Sequence, residues 1–483
     1  MSNVLKNLEP NDVFHFFEEI CNIPHGSGNV EQISNYLVDF AKERNLEVYQ
    51  DAMKNVVIIK EATSGYEEEE PIIIQGHMDM VAVKKPDYDI DMKTDSLRLA
   101  IDGDNVYAEG TSLGGDDGIA VAYALALLDS DVYEHPRLEV IITVDEETGM
   151  HGAAGIDLSM LKGHRMLNID SEEEGIFLTS CAGGAKIECC LPLKREKQEG
   201  NIYTVTIGGL QGGHSGCEID KERGNSNSLF GRMLTEVGQK TSYRIVSMKG
   251  GLADNAIPRE TTTQILVWEN EDVFEEEIRL FEQKMKKELE TKEPEFHVVL
   301  KKSETCECEV LTEESNRRAV WLLEALPNGV QAMSLDVNGL VETSLNIGIV
   351  KTTEQEMHID ISVRSSIESA KAALIQKVGV VTELCGGSII VSGEYPGWAY
   401  RKDSPLRDTI IRVYQEMYGK EPEIQAIHAG LECGILSEKI PNLDCVSLGP
   451  DMKNIHTTEE TLSISSVKRV WEFCLEVLKQ KSK

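Results

Sequence analysis

Apolar residues recur at helical spacing in residues 11–20 and 30–43, as in Val13, Phe16, Phe17 and Ile20, and predict two amphipathic helices. Short apolar runs of strand length follow: Val56-Val57-Ile58-Ile59, then Ile72-Ile73-Ile74. A Gly-rich turn, Gly114-Gly115-Asp116-Asp117-Gly118, opens into Ile119 to Leu128, which is apolar nearly all round and reads as a buried helix. Leu138 to Val144 and Met166 to Ile169 are further strand candidates. Strands alternating with helices imply an α/β layer, a mainly parallel sheet with helices on both faces.

From about residue 187 the pattern changes to longer alternating strands and amphipathic helices, with a weak internal repeat. Gly251-Leu252-Ala253-Asp254-Asn255 leads into a strand at Thr263–Trp268, a helix near 272–290 and a strand at His297–Leu300. Gly339-Leu340-Val341-Glu342-Thr343 leads into a strand at Glu356–Arg364, a helix near 366–385 and a strand at Ser388–Val391. Two β-α-β units therefore fit an antiparallel α+β module built twice. Pro396-Gly397-Trp398 marks a boundary, and helices at 405–418 and 463–480, with strands at Gln425–His428 and Leu443–Leu448, resume the α/β pattern. The expected organisation is a catalytic domain in two parts, residues 1–186 and 397–483, with residues 187–396 inserted as a lid.

Composition narrows the class. At 483 residues the chain exceeds one ordinary core. No apolar run approaches the roughly 18 residues of a membrane span, and Met1 to Lys6 lack a secretory pattern, so no membrane partner is expected. The 11 cysteines are odd in number and form no CxxC pair, which reads as reduced thiols in a cytoplasmic protein. A net charge of −35 opposes nucleic-acid binding and suits either a solvated acidic surface or an enzyme that gathers divalent cations.

Five signals carry chemistry. His77-Met78-Asp79 follows a strand, where ligands of open α/β sheets gather. Asp79 lies on the same side as His77 and could accept its second ring N–H, although a structural histidine beside a turn looks the same. Asp116-Asp117 pairs two acids between glycines; a lone Asp there would be a helix cap, but adjacent like charges call for a cation. Asp145-Glu146-Glu147 ends another strand, and three successive acids suit hard or borderline cations. Asp170 ends a fourth, and His456 lies in the Pro450–Glu460 segment near the C-terminus.

The series GHMD, GGDDG, DEETG, LNID, GGHSG and IHTTEE, in that order from near Val13 to the last helix, resembles the M20 family of metallopeptidases. Within it the chain is similar to the cytosolic branch of dipeptidases that act on Xaa-His peptides. The resemblance implies a zinc-peptidase-like mixed sheet sandwiched by helices, with an inserted α+β lid. It implies two divalent metal ions, zinc above all, with manganese or cobalt as other ions that His/carboxylate sites accept. His77 and Asp170 would hold one metal, Glu147 and His456 the other, and Asp116 would bridge them across a cis Asp116–Asp117 peptide. Glu146 would be the general base and Asp79 the orienter of His77. His214 in GGHSG, Asn255 in DNAIP and Arg364 would grip the peptide, with His428 and Glu432 of HAGLECG as weaker substrate contacts. A small peptide is the implied partner, and the doubled lid fits either a homodimer or a monomer that imitates one. An M20-type deacylase of N-acyl amino acids and a non-catalytic metal-binding regulator are the competing readings.

Overall fold

The computed structural model describes residues 4–481. The chain divides into two compact units: one takes the residues up to Ser180, Tyr400–Ala426 and those from Leu431 on, the other Cys181–Ala399 with Ile427–Gly430.

The first unit is built on an eight-stranded sheet. Its centre is four parallel strands, in the spatial order Leu138–Thr143, Ile72–His77, Arg165–Asn168 and Asp444–Ser447. Val56–Lys60 and Glu47–Gln50 extend one side antiparallel, and Ile176–Cys181 and Glu423–Ile427 extend the other. The central runs are apolar without alternation because both faces are covered; every residue of Ile72–His77 and Leu138–Thr143 is buried. Helix Gly115–Asp129 packs on the strand Ile72–His77 and on helix Asn11–Cys21, and it too is buried on all sides. Its Tyr123 stacks on Trp471 at 5.4 Å, and its hydroxyl donates to the Val467 carbonyl at 2.7 Å. A small antiparallel sheet, Met452–Lys453, Thr461–Ser463, Asn105–Ala108 and Leu99–Asp102, ties the C-terminal segment to the early chain.

The second unit is a nine-stranded sheet made of two similar halves. One half runs Arg195–Gly208, helix Ser226–Gly238, Arg244–Gly250, Thr261–Val267, helix Glu271–Glu288 and His297–Leu311. The other runs Gly183–Pro192, helix Glu313–Ala325, Val341–Thr352, Glu356–Ser365, helix Glu368–Leu384 and Ser388–Tyr395. Numbered by order within its half, each set of strands lies side by side as fourth, first, third, second. This is the β-α-β-β-α-β arrangement of ferredoxin-like folds. The β-α-β pair expected from the sequence is the closing part of each half, so the repeating unit is about twice as large. One face of the sheet supplies Ile187, Cys189, Val205 and Ile359 to a core completed by Phe230, Phe281, Leu323 and Val378 of the four helices. Alternation leaves the other face polar.

The halves meet where Lys249 and Gly250 pair with Lys351 and Val350. Gly251 follows with φ +76°, and a Cβ there would sit 1.8 Å from the Gly348 carbonyl oxygen. The strand Gly329–Met333 completes the sheet beside Val341–Thr352. Gly251→Ala combines left-handed strain with a backbone clash, about 2 kcal/mol or more. Thermal unfolding should show the transition of this unit lowered by ~4–8 °C; an unchanged profile would mean that the seam tolerates the displacement.

Candidate metal centre

The parallel strands end together, and their carboxyl ends set out the donors. His77 is the last residue of its strand and pairs in register with Thr143, so the Asp145-Glu146-Glu147 turn begins two residues beyond that level. Asp170 follows the neighbouring strand Arg165–Asn168. Asp116 lies in the first turn of helix Gly115–Asp129, and His456 on the loop between Met452–Lys453 and Thr461–Ser463.

These five side chains converge on one another. His77 Nε2 is 3.2 Å from Asp116 Oδ1 and 3.7 Å from Asp170 Oδ1. His456 Nε2 is 3.1 Å from Asp116 Oδ2 and 2.8 Å from Glu147 Oε1. The two triads thus share Asp116, each using a different oxygen, and within each the ligand atoms lie within 4.8 Å of one another.

The electrostatics are those of a crowded acidic pocket. Burial, with Asp170, Glu432 and Glu147 nearby, pushes the Glu146 carboxyl up to about 9 against the opposing pull of His77. Burial raises Asp170 to about 6 and Glu172 to about 7, and holds Asp117 well above the carboxylate range. Burial would raise Asp116 too, but hydrogen bonds with His456 and His77 outweigh it and hold it down. Hydrogen bonds with Asp116 and Glu147 lift His456 to about 10. Two imidazoles and three carboxylates with unsatisfied negative charge around them are a donor set that fits two divalent cations.

Several contacts position the donors. Asp117 Oδ2 accepts the main-chain N–H of His77 at 3.1 Å, across the cis Asp116–Asp117 peptide. His77 Nδ1 hydrogen-bonds the main-chain carbonyl of Asp79 at 2.9 Å, while the Asp79 carboxylate stands off at 3.6 Å. The expectation that this carboxylate takes the second ring N–H is therefore corrected: the carbonyl takes it. The carboxylate is already engaged, accepting from Ser27 Oγ at 2.7 Å and from the main-chain N–H of Glu146 at 3.1 Å. Glu432 is fully buried and accepts from Gln75 Nε2 at 2.6 Å and Thr143 Oγ1 at 2.5 Å.

Glu460 was not singled out by sequence reasoning, although it closes the IHTTEE motif. Its buried carboxylate accepts the N–H groups of Leu113 at 2.8 Å, Gly114 at 3.2 Å and Gly115 at 2.8 Å, with that of Asp116 at 3.5 Å. It caps the helix that bears Asp116 from the same segment that carries His456. Its spacing of four residues from His456 was the available signal. Ser27 left none.

In the second unit, His214 ends the short strand Gly213–His214, which pairs with Ala256–Ile257. Its Nδ1 accepts from the N–H groups of Gly216 at 3.2 Å and Cys217 at 3.1 Å, which leaves Nε2 as the N–H. Asn255 lies beside it, its carbonyl accepting from Ser215 N at 2.9 Å. Arg364, nearly buried, donates from Nη1 to the Tyr395 hydroxyl at 3.2 Å, and its Nε has no partner among the described residues. His428 shares a 2.7 Å hydrogen bond with Ser344 Oγ. Gly216 marks where three of them close in: a Cβ there would lie 3.0 Å from His214 Cε1, 3.1 Å from Arg364 Nε and 2.5 Å from the His428 carbonyl oxygen. Burial and the neighbouring Arg364 lower His214 and push His428 down to about 3, so Arg364 is the cation of this group.

Glu460→Ala removes the cap of the Asp116 turn, and outer partners of this kind are worth roughly 10–100-fold in metal affinity. Competition against a chelator should find divalent-cation affinity weakened by about that factor; parental affinity would show that the turn holds its shape unaided.

The sequence profile described as Peptidase family M20/M25/M40 matches residues 73–480. The cytosol non-specific dipeptidase of Escherichia coli (strain K12) is 38% identical over 479 residues, covering 99% of each chain. The crystal structure of the aminoacylhistidine dipeptidase from Vibrio alginolyticus is also 38% identical, superposes with a TM-score of 0.94 and covers 100% of both chains. An aminopeptidase from Bacillus cereus, 14% identical with a TM-score of 0.56 over 98% of each chain, shares the fold. Family-wide coverage and full-length identity agree with the order of motifs along the strands: the chain belongs to peptidase family M20.

Proposed function

We propose that the chain is a two-metal dipeptidase that hydrolyses the peptide bond of Xaa-His and other dipeptides. What carries this reading is the division of the Asp116 carboxylate, one oxygen to the His77 triad and one to the His456 triad. The dipeptide substrate is supported by the two relatives that match over the full length, one described as a cytosol non-specific dipeptidase and one as an aminoacylhistidine dipeptidase. A cytoplasmic setting is part of the same reading. Its support is the first relative's description and eleven free cysteines, which suit a reducing compartment.

His77 and Asp170 would hold one cation, Glu147 and His456 the other, and Asp116 both. Zinc is the ion of choice, and manganese or cobalt would fit the same donors. Such a pair, when bound, supplies Lewis acidity and lowers the pKa of water. Once bound cations lower the carboxyl that burial and its acidic neighbours raise, Glu146 takes the proton of the attacking water and returns it to the leaving amine. Its backbone is anchored for this by the Asp79 carboxylate, which receives the Glu146 N–H. The buried Nε–H of Arg364 has no partner among the described residues, and a dipeptide's C-terminal carboxylate is the anion that would satisfy it. The His214 Nε2–H is a donor suited to a carbonyl oxygen gaining negative charge, and Asn255 and His428 would complete the contacts with the peptide.

Glu146→Gln keeps the shape and removes the base. Turnover should fall by about 10²–10⁴-fold, while elemental analysis finds the same metal content as in the parent; surviving turnover would assign the base elsewhere. Chelation should abolish hydrolysis, and added Zn²⁺, Mn²⁺ or Co²⁺ should restore it on a dipeptide panel. Cleavage of N-acyl amino acids in preference to dipeptides would make the chain a deacylase, and no cleavage by metal-replete protein would make it a binding protein.

A further inference from the structure

Outside the catalytic donors, a second group of metal-ligating side chains lies on the polar face of the second unit's sheet. Strands Gly183–Pro192 and Glu356–Ser365 run antiparallel, with Cys190 opposite His358 and Glu188 opposite Asp360. Their neighbours Cys189 and Ile359 point into the core, so Glu188, Cys190, Glu356 and His358 all stand on the outer face. His358 Nδ1 is 2.7 Å from Glu188 Oε1 and 3.8 Å from Cys190 Sγ. Its other nitrogen, Nε2, is 3.4 Å from Glu356 Oε2.

We propose that Cys190, His358 and Glu188 form a further cation site, for a zinc-like divalent ion, with Glu356 orienting the imidazole. The donor set is one thiolate, one imidazole and one carboxylate, the ligand types that zinc selects. Around a tetrahedral zinc, N and S donors stand about 3.6 Å apart and N and O donors about 3.4 Å. The Cys190–His358 separation is already close to that. The Glu188–His358 hydrogen bond has only to open by less than an ångström.

Only one imidazole nitrogen can face the thiol, and that nitrogen is Nδ1. The remaining N–H then meets the Glu356 carboxylate, which is the outer contact that fixes the tautomer of metal-bound histidines. Local charge favours a cation as well. Glu188, Glu356, Asp360 and Asp254 gather here against His358 and Lys186, and Lys186 is already 3.0 Å from Asp254. Binding would release the thiol proton and, from a doubly protonated imidazole, the proton on Nδ1. Side chains on paired strands are held in register, so the three ligands need little ordering. The His358 and Glu188 side chains are 29% and 42% exposed, which gives the ion access and leaves a fourth position to water.

Cadmium titration of the full-length, chelator-stripped protein tests this, because the catalytic donors proposed above contain no sulfur. The expected result is a near-ultraviolet thiolate-to-cadmium absorption with the amplitude of one thiolate per chain. It should be lost in Cys190→Ser and should need at least tenfold more cadmium in His358→Gln. Both variants should keep the parental circular dichroism and the parental dipeptide turnover when reloaded with zinc. No such absorption in the parent would overturn the site. So would an absorption that survives Cys190→Ser and disappears when Cys306 and Cys308 are replaced. The readout is spectroscopic and stands whether or not the dipeptidase reading does.

Discussion

One carboxylate organises the first unit's chemistry. Asp116 faces two imidazoles that enter from positions 39 residues before it and 340 residues after it. A single Asp serves both because its two oxygens point apart, and the turn that carries it is fixed from several directions. Asp117 ties that turn to the backbone of His77, and Glu460 closes over the N–H groups of residues 113–115. Gly114, with φ +70° and the Met80 sulfur 2.8 Å from where a Cβ would be, allows the backbone to come this close. Each contact is local in space and distant in sequence, so the C-terminal segment both scaffolds the Asp116 turn and supplies His456 to the donor group.

The cost of the arrangement is concentrated negative charge in a poorly solvated place. Six carboxyls have raised pKa values there, and the histidines compensate only part of them. Isolated buried charge of this kind opposes folding, and it persists where a function needs it. Asp79 shows how the surroundings were used to stabilise it. Its carbonyl serves the imidazole and its carboxylate serves the Asp145-Glu146-Glu147 turn, so one residue connects the two neighbouring strand ends.

Much of the first unit was legible because its central strands are buried on both faces and read as unbroken apolar runs. Ile72–Ile74 and Leu138–Val144 needed no tertiary information to be found, and acids or histidines at the ends of such runs stand out. What stayed hidden depends on contacts that no local window contains. The Asp79 carboxylate was assigned to His77 by the alternation of an extended chain, but the chain bends after His77 to bridge Met80 to Gly26. Glu460 closes the IHTTEE motif, but a cap contributed from more than 340 residues away leaves no periodic trace. In the second unit the repeat was visible only in its closing strand-helix-strand portions. The strand His297–Leu311 continues well past the expected Leu300, since its later, exposed residues are held by pairing with Arg195–Gly200 and not by an apolar pattern.

The order of strands in the second unit has a consequence for synthesis on the ribosome. Gly183–Pro192 emerges first, yet both of its neighbours, Glu356–Ser365 and Ser388–Tyr395, are translated roughly 160 residues or more afterwards. At ~5–20 residues per second that is an interval of roughly 8–30 s. Throughout it the nascent strand exposes Ile187, Cys189 and Leu191 together with two open edges, while the half beginning at Arg195 already has all its strands by Leu311. Vectorial growth therefore favours closure of the later-starting half first, and leaves the earliest strand as the segment most in need of chaperone cover.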